Sequence, residues 1–177
     1  MWRSRRLISG QLKISSIWKR EYRPANGSET AGRTLLVLCG LGLMIAGGTI
    51  LVVGMTFVFV PQDIAFIKLP AESIRAVSPT LVPLLAHDRA GFGGGLFTVG
   101  VILVLIMRHA PISRSLIQLT GLMGIAGFGC ALGVHFAIGY TDFMHLFPAY
   151  AGLLLFVGGM LLFAKGNFAG RAMAVAQ

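Results

Sequence analysis

The residues able to do chemistry are few and grouped. His87, Asp88 and Arg89 are consecutive; His135 is followed by Tyr140, Thr141, Asp142 and His145; Asp63 comes earlier. Neutral imidazoles and carboxylates are the ordinary ligands of zinc, copper or iron, and an imidazole near its own pKa can also carry a proton. Asp142 and His145 are three apart, so a helix would turn both the same way. There is no His-Glu-x-x-His, no Cys-x-x-Cys and no Glu-x-x-His pair, which leaves the metal spacing signal weak. Neither a nucleophile elbow nor a phosphate-binding loop is present, so hydrolysis and phosphoryl transfer have no support. Glycines 91 and 93–95 lack a preceding strand, which excludes a dinucleotide fingerprint. Cys39 and Cys130 fall at different depths of their segments, too far apart for a disulfide, and read as small packing residues.

Membrane-crossing helices must position these groups. Of 177 residues, 55% are hydrophobic and 12% charged, which excludes a disordered chain. No stretch between apolar runs is long enough for a sizeable soluble catalytic domain. A hydrocarbon core of about 30 Å takes roughly 20 apolar residues of helix. Residues 35–60, 91–107, 116–136 and 143–164 meet or approach that length. The first is long enough that it must tilt, kink at its glycines or extend past the headgroups; the second is short unless Arg89 and Arg108 reach outward from its ends. The expectation is an all-α membrane protein, a four-transmembrane-helix bundle. It has a basic tail 1–34, an outer loop 61–90 and a short tail 165–177. Within the loop, 63–69 and 71–77 are short helical candidates, each near a proline, expected to lie in the interface and roof the outer end.

Basic residues in short loops stay on the cytoplasmic side. Twelve of the 15 fall on one side: Arg3, Arg5, Arg6, Lys13, Lys19, Arg20, Arg23 and Arg33 before the first span, then Arg108, Arg114, Lys165 and Arg171. Lys68, Arg75 and Arg89 lie opposite, nearly balanced by Asp63, Glu72, Asp88 and Asp142. Both termini are therefore expected in the cytoplasm, with a bacterial inner membrane as the compartment. The first apolar run starts too late and is too long for a secretory signal, although the first twenty residues, basic and free of acids, also fit an organelle transit peptide.

The net charge of +9 is concentrated just before a span, within a Debye length of the headgroups. Arg3, Arg5, Arg6, Lys13, Lys19, Arg20 and Arg23 are thus read as lipid-binding, with anionic headgroups and not nucleic acid as the partner. Trp2, Leu7, Ile8, Leu12, Ile17 and Trp18 interleave with basic residues, as in a short interfacial helix; the plainer reading is a solvated tail that only sets topology.

Eighteen of the 24 glycines fall in the four spans. Lipid gives no hydrophobic drive for helices to associate, so close backbone approach at small residues must supply it. One tight bundle is expected, with Gly91 and Gly95, and Gly129 and Gly133, as same-face pairs packing inside the chain.

Antiparallel threading would bring His87, Asp88, Arg89, His135, Tyr140, Asp142 and His145 to one outer level as a candidate polar cluster. His109 is the one histidine on the other side. Three uses are open. Asp88 and Asp142 (or Thr141) could cap helix amino termini while Arg89 and the histidines bond loop carbonyls and Tyr140 sits in the aromatic belt. His87, His135, Asp142 and His145 could ligate a transition metal, or paired histidines a haem. Proton or solute movement is the third, opposed by mid-membrane positions whose polar residues are only Thr49, Thr56, Thr98 and Thr120.

Asp88-Arg89 followed by Gly93-Gly94-Gly95, in a four-span layout with a long first outer loop and cytoplasmic termini, resembles the DoxX-like group of small bacterial membrane proteins. The likeness covers residues 35–165 in layout and a few residues in motif. It implies an accessory membrane subunit, in some members attached to a quinone-linked redox complex. The expectation carried forward is a small accessory or scaffold subunit, with other membrane subunits as partners and an outward-facing polar cluster. A metal- or haem-binding redox protein is the alternative, and a transporter the third.

Overall fold

The computed structural model describes residues 22–24 and 26–175, with the side chains of 167–175 left out. Six of the seven residues expected to bind lipid, and the expected tail helix, lie outside the described residues; Arg23 is exposed. Six helices and no strands form the described chain: α1 (Gly27–Met55), α2 (Pro61–Ile67), α3 (Ala71–Val77), α4 (Leu81–His109), α5 (Arg114–Ile138) and α6 (Phe143–Val175). Helices α1, α4, α5 and the Phe143–Gly166 part of α6 are long and apolar enough to cross a membrane, so the chain is an all-helical integral membrane protein.

Helix ends depart from the hydropathy boundaries for local reasons. α1 starts at Gly27, ahead of the apolar run, because Asn26 Oδ1 accepts the Glu29 N–H at 2.9 Å and caps it. It stops at Met55, short of residue 60, in a turn where Val58 takes φ of 65°. That conformation is rare for a β-branched residue, and burial against Ile74 and Val82 holds it. α4 starts at Leu81 with Pro83 in its first turn, where a missing N–H costs nothing. Arg89 is consequently a residue of the helix wall and not a flanking charge.

α1 is the central element: it packs on α4 along one side and on α6 along the other, while α5 packs on α6. Gly40, Gly47 and Gly54 recur every seventh residue of α1 and face Gly100, Gly93 and Ala90 of α4. A Cβ on Gly47 would strike the Phe97 backbone nitrogen, and one on Gly100 would lie 2.6 Å from the Gly40 carbonyl oxygen. On the α6 side, a Cβ on Gly32 would meet the Phe163 backbone and lie 2.9 Å from the Gly159 carbonyl. Contact this close brings Cα–H groups against carbonyls, the weak attraction that membrane helices use in place of hydrophobic drive. Leu36, Cys39, Leu103, Met107, Phe156 and Phe163 fill the buried core beside these seams.

The two glycine pairs expected to pack inside the chain do not. Gly91, Gly95, Gly129 and Gly133 each have nothing within 4 Å of where a Cβ would stand. Four-residue spacing puts two glycines on one helix face without saying which way that face points. The seven-residue series 40, 47, 54 and 93, 100 carries the actual seam. Both cysteines are free, as expected; Cys39 is buried with its Sγ 3.5 Å from the Gly152 carbonyl, whereas Cys130 is exposed and does not pack.

Candidate functional site

At the end formed by the α1–α4 connection and the α5–α6 turn, a continuous line of polar side chains crosses four helices. It begins with Asp63, third residue of α2. Pro61 starts that helix, and Asp63 Oδ2 reaches back to accept the Val60 N–H at 2.8 Å, the acidic half of a capping box. Arg89 Nη2 meets the same Oδ2 at 2.8 Å, with Asp63 3% and Arg89 30% exposed. The other oxygen, Oδ1, accepts the Tyr140 hydroxyl proton at 3.0 Å. The carboxylate thus meets three donors, and its charge-assisted bond to Arg89 is the strong one.

Tyr140 is delivered by the end of α5. Gly139 takes φ of 74°, which only glycine adopts without cost, and the Tyr140 N–H then returns to the His135 carbonyl at 2.9 Å. The Tyr140 ring is buried between Phe66, stacked at 4.6 Å between centroids, and His145, stacked at 4.4 Å. His145 is set by the start of α6, where Asp142 Oδ1 accepts its backbone N–H at 2.8 Å. Its Nδ1 lies 3.3 Å from the Tyr140 hydroxyl and its Nε2 lies 3.2 Å from Nε2 of His135. His135 Nδ1 ends the line on the Ala131 carbonyl of its own helix at 2.6 Å. The sequence of contacts is thus Arg89, Asp63, Tyr140, His145, His135.

Of the residues expected to cluster, Arg89, His135, Tyr140 and His145 come together, and Asp142 assists as the helix cap. His87 and Asp88 do not join them. They pair with each other at 3.1 Å, with side chains 83% and 67% exposed. Asp88 caps no helix, since α4 begins seven residues before it. Arg89 bonds a carboxylate and not a loop carbonyl, and the buried Tyr140 bonds the same carboxylate. The four-ligand metal set of His87, His135, Asp142 and His145 is likewise not assembled: no three His, Cys, Asp or Glu side chains among the described residues are gathered as metal ligands. The reason is angular, because one residue of helix turns a side chain by about 100° and Arg89, not His87, falls on the inward face.

Asp63 is the centre of the site, although its position one loop away gives little hint of that. The usable signal is Pro61-x-Asp63, an acid at the third position of a proline-initiated helix. A cleft at this end, about 430 Å³, is lined by Val58, Arg75, Pro79, Val82, Pro83 and Ala86, none of which belongs to the line.

A second polar knot closes the opposite end. Arg33 is 5% exposed and Glu29 fully buried, with Nε and Nη2 of Arg33 both 2.9 Å from Glu29 Oε1. Arg33 Nη1 and Nη2 also donate to the carbonyls of Met107 and Ala110 at 2.7 and 2.9 Å. These lie at the carboxyl end of α4, where carbonyls have no partner within the helix. The knot extends to α6 through Asn26, whose Nδ2 donates to the Gly166 carbonyl at 3.0 Å. Here Arg33 is a buried tie between helices and not one more tail charge. The Glu-x-x-x-Arg spacing is the sequence signal for it. No buried side-chain nitrogen or oxygen among the described residues lacks a hydrogen-bond partner.

Comparison with protein-family models, with curated proteins and with solved structures finds no match.

Burial, followed by the hydrogen bond the hydroxyl donates to the Asp63 carboxylate, pushes the Tyr140 pKa above the ordinary tyrosine range. The neutral phenol is therefore favoured in the folded chain. Its contribution to stability is complete below about pH 10 and falls as pH rises beyond it. An alkaline absorbance titration of the folded protein should show one tyrosine ionising late, and Tyr140→Phe should remove that late step.

Proposed function

We propose that this chain is a small accessory or scaffold subunit of a membrane complex, seated in the bacterial cytoplasmic membrane with both termini in the cytoplasm. The distribution of basic residues supports that orientation, with twelve of 15 on the side of the termini. It makes the Arg89 to His135 line outward-facing, with the short helices α2 and α3 along the outer interface. The basic residues of the tail then rest against anionic headgroups.

The observation that carries the subunit reading is the state of α5. Only 6% of its most apolar window is buried, against 22% for each of the other three spans. Gly129 and Gly133 lie on one face of it and meet nothing within 4 Å in the chain. Glycine in a membrane helix earns its place where another backbone comes close. α1 and α4 show that use within this protein, and α5 offers the same surface to a transmembrane helix of a partner subunit. The polar side chains at both ends are already engaged with one another, which leaves the apolar flank as the working surface. The DoxX-like resemblance agrees with this reading, since some members of that group are accessory subunits of quinone-linked redox complexes.

Gly129→Leu and Gly133→Leu test it. Each adds bulk where the chain itself has room, so helix content and thermal stability of the isolated protein should be unchanged. On native electrophoresis in mild detergent, the wild-type chain should migrate within a larger assembly and each variant as the free chain. An unchanged assembly in both variants would remove the basis for the reading.

A further inference from the structure

The proton positions in the Arg89 to His135 line follow from its donors and acceptors. Asp63 is ion-paired to Arg89, so its Oδ1 can only accept, and the single Tyr140 hydroxyl proton goes to it. Toward His145 the phenol oxygen can then only accept, which places the His145 proton on Nδ1. The Ala131 carbonyl is also only an acceptor, which places the His135 proton on Nδ1 as well. A neutral imidazole carries one proton. In the neutral form of both rings the two Nε2 atoms are bare lone pairs, and they face each other at 3.2 Å.

Two lone pairs at that distance repel unless a cation stands with them. Two nitrogens each about 2.0–2.1 Å from a tetrahedral ion are about 3.3 Å apart, close to the separation observed. A metal-bound histidine also characteristically donates its other N–H to an oxygen, which fixes tautomer and ring orientation. Here both rings do so, one to a carbonyl and one to a phenol held by a carboxylate. From this the geometry points to a two-histidine site for one late first-row divalent metal ion, of the zinc or copper class, held by Nε2 of His135 and Nε2 of His145. Solvent completes the coordination, since both rings are partly exposed. Tyr140 and Asp63 are positioning residues that keep the His145 lone pair turned inward. The proposal is independent of the subunit reading and differs from the four-ligand set expected from spacing, because His87 and Asp142 supply no ligand.

The test uses untagged full-length protein in detergent, stripped with chelator and titrated with Cu²⁺, read by equilibrium dialysis and electron paramagnetic resonance. One copper per chain is expected, with superhyperfine splitting from two imidazole nitrogens and competition by Zn²⁺ only in large excess. His145→Gln should weaken binding by about tenfold or more and leave one nitrogen, while Tyr140→Phe should weaken it about tenfold with both nitrogens kept. His87→Gln should change neither. A wild-type protein that binds no stoichiometric copper, the pair holding only a shared proton, overturns the proposal. So does a wild-type spectrum with fewer than two nitrogens, a reading that needs no variant to fold. Undiminished binding in a folded His135→Gln/His145→Gln double variant overturns it too.

Discussion

Gly93→Ala should destabilise the fold strongly, while Gly94→Ala, one residue away, should stabilise it. A Cβ on Gly93 would strike the Leu51 backbone nitrogen and lie 2.7 Å from the Gly47 carbonyl oxygen and 2.9 Å from the Leu51 Cα. None of these is the movable end of a side chain, so the methyl can be housed only by driving α1 and α4 apart. That loosens the whole series Gly40, Gly47, Gly54 against Gly100, Gly93, Ala90. Overpacking costs about 1–3 kcal/mol where side chains can shift, and occasionally more; two backbones in contact belong at or above the upper end. At Gly94 the same methyl meets nothing within 4 Å. There it removes only the conformational freedom of glycine, a gain of about 0.5–1 kcal/mol. Thermal unfolding in detergent, followed by circular dichroism, would show the midpoints moving in opposite directions. Equal shifts for the two variants would mean that the close seam does not hold the bundle together.

Arg33→Met should be the most damaging change of a charged residue. It leaves Glu29 buried with its guanidinium partner gone, and it strips the Met107 and Ala110 carbonyls at the end of α4 of their donor. Breaking a buried ion pair by removing one partner costs about 3–5 kcal/mol, because the remaining charge loses the attraction that offset its desolvation. Glu29→Met with Arg33→Met should recover part of that loss, since both charges of the pair are then removed together, though the two carbonyls stay without the donor. A denaturant or thermal series on the two single variants and the double variant measures the coupling. If Arg33→Met alone is no worse than the double variant, the buried pair is not what ties α1 to α4 at this end.

The four spans were legible because a bilayer imposes a length of apolar helix that few soluble folds reach. Their order needed no tertiary information. Boundaries were less legible: hydropathy marks where lipid contact ends, whereas hydrogen bonding and capping decide where a helix ends. Asn26 and the Glu29–Arg33 pair therefore carry α1 beyond its apolar run. In the first loop α3 has the bounds 71–77, while α2 runs Pro61–Ile67 and not 63–69, since Pro61 starts it.

Within the candidate site, composition and antiparallel order were enough to assemble Arg89, Tyr140, His135 and His145 on one side. His87 and Asp88 were beyond that reasoning. Neighbours in sequence share a level along the helix but not a direction around it, and a turn of about 100° per residue sends one group inward and the next to solvent. Asp63 illustrates the converse, a residue far off in sequence that becomes central once α2 folds back over the α5–α6 turn.

By itself, then, the order of amino acids determined that this chain is helical, how many times it can cross a membrane, and which end gathers its imidazoles. These follow from hydrophobic length and from counting crossings. Tertiary structure alone decided which glycines touch, that Arg33 is a buried tie, and that two histidine nitrogens confront each other at 3.2 Å. Each of these depends on helix rotation and axial offset, set by many small backbone contacts summed along α1, and no local run of residues encodes that sum.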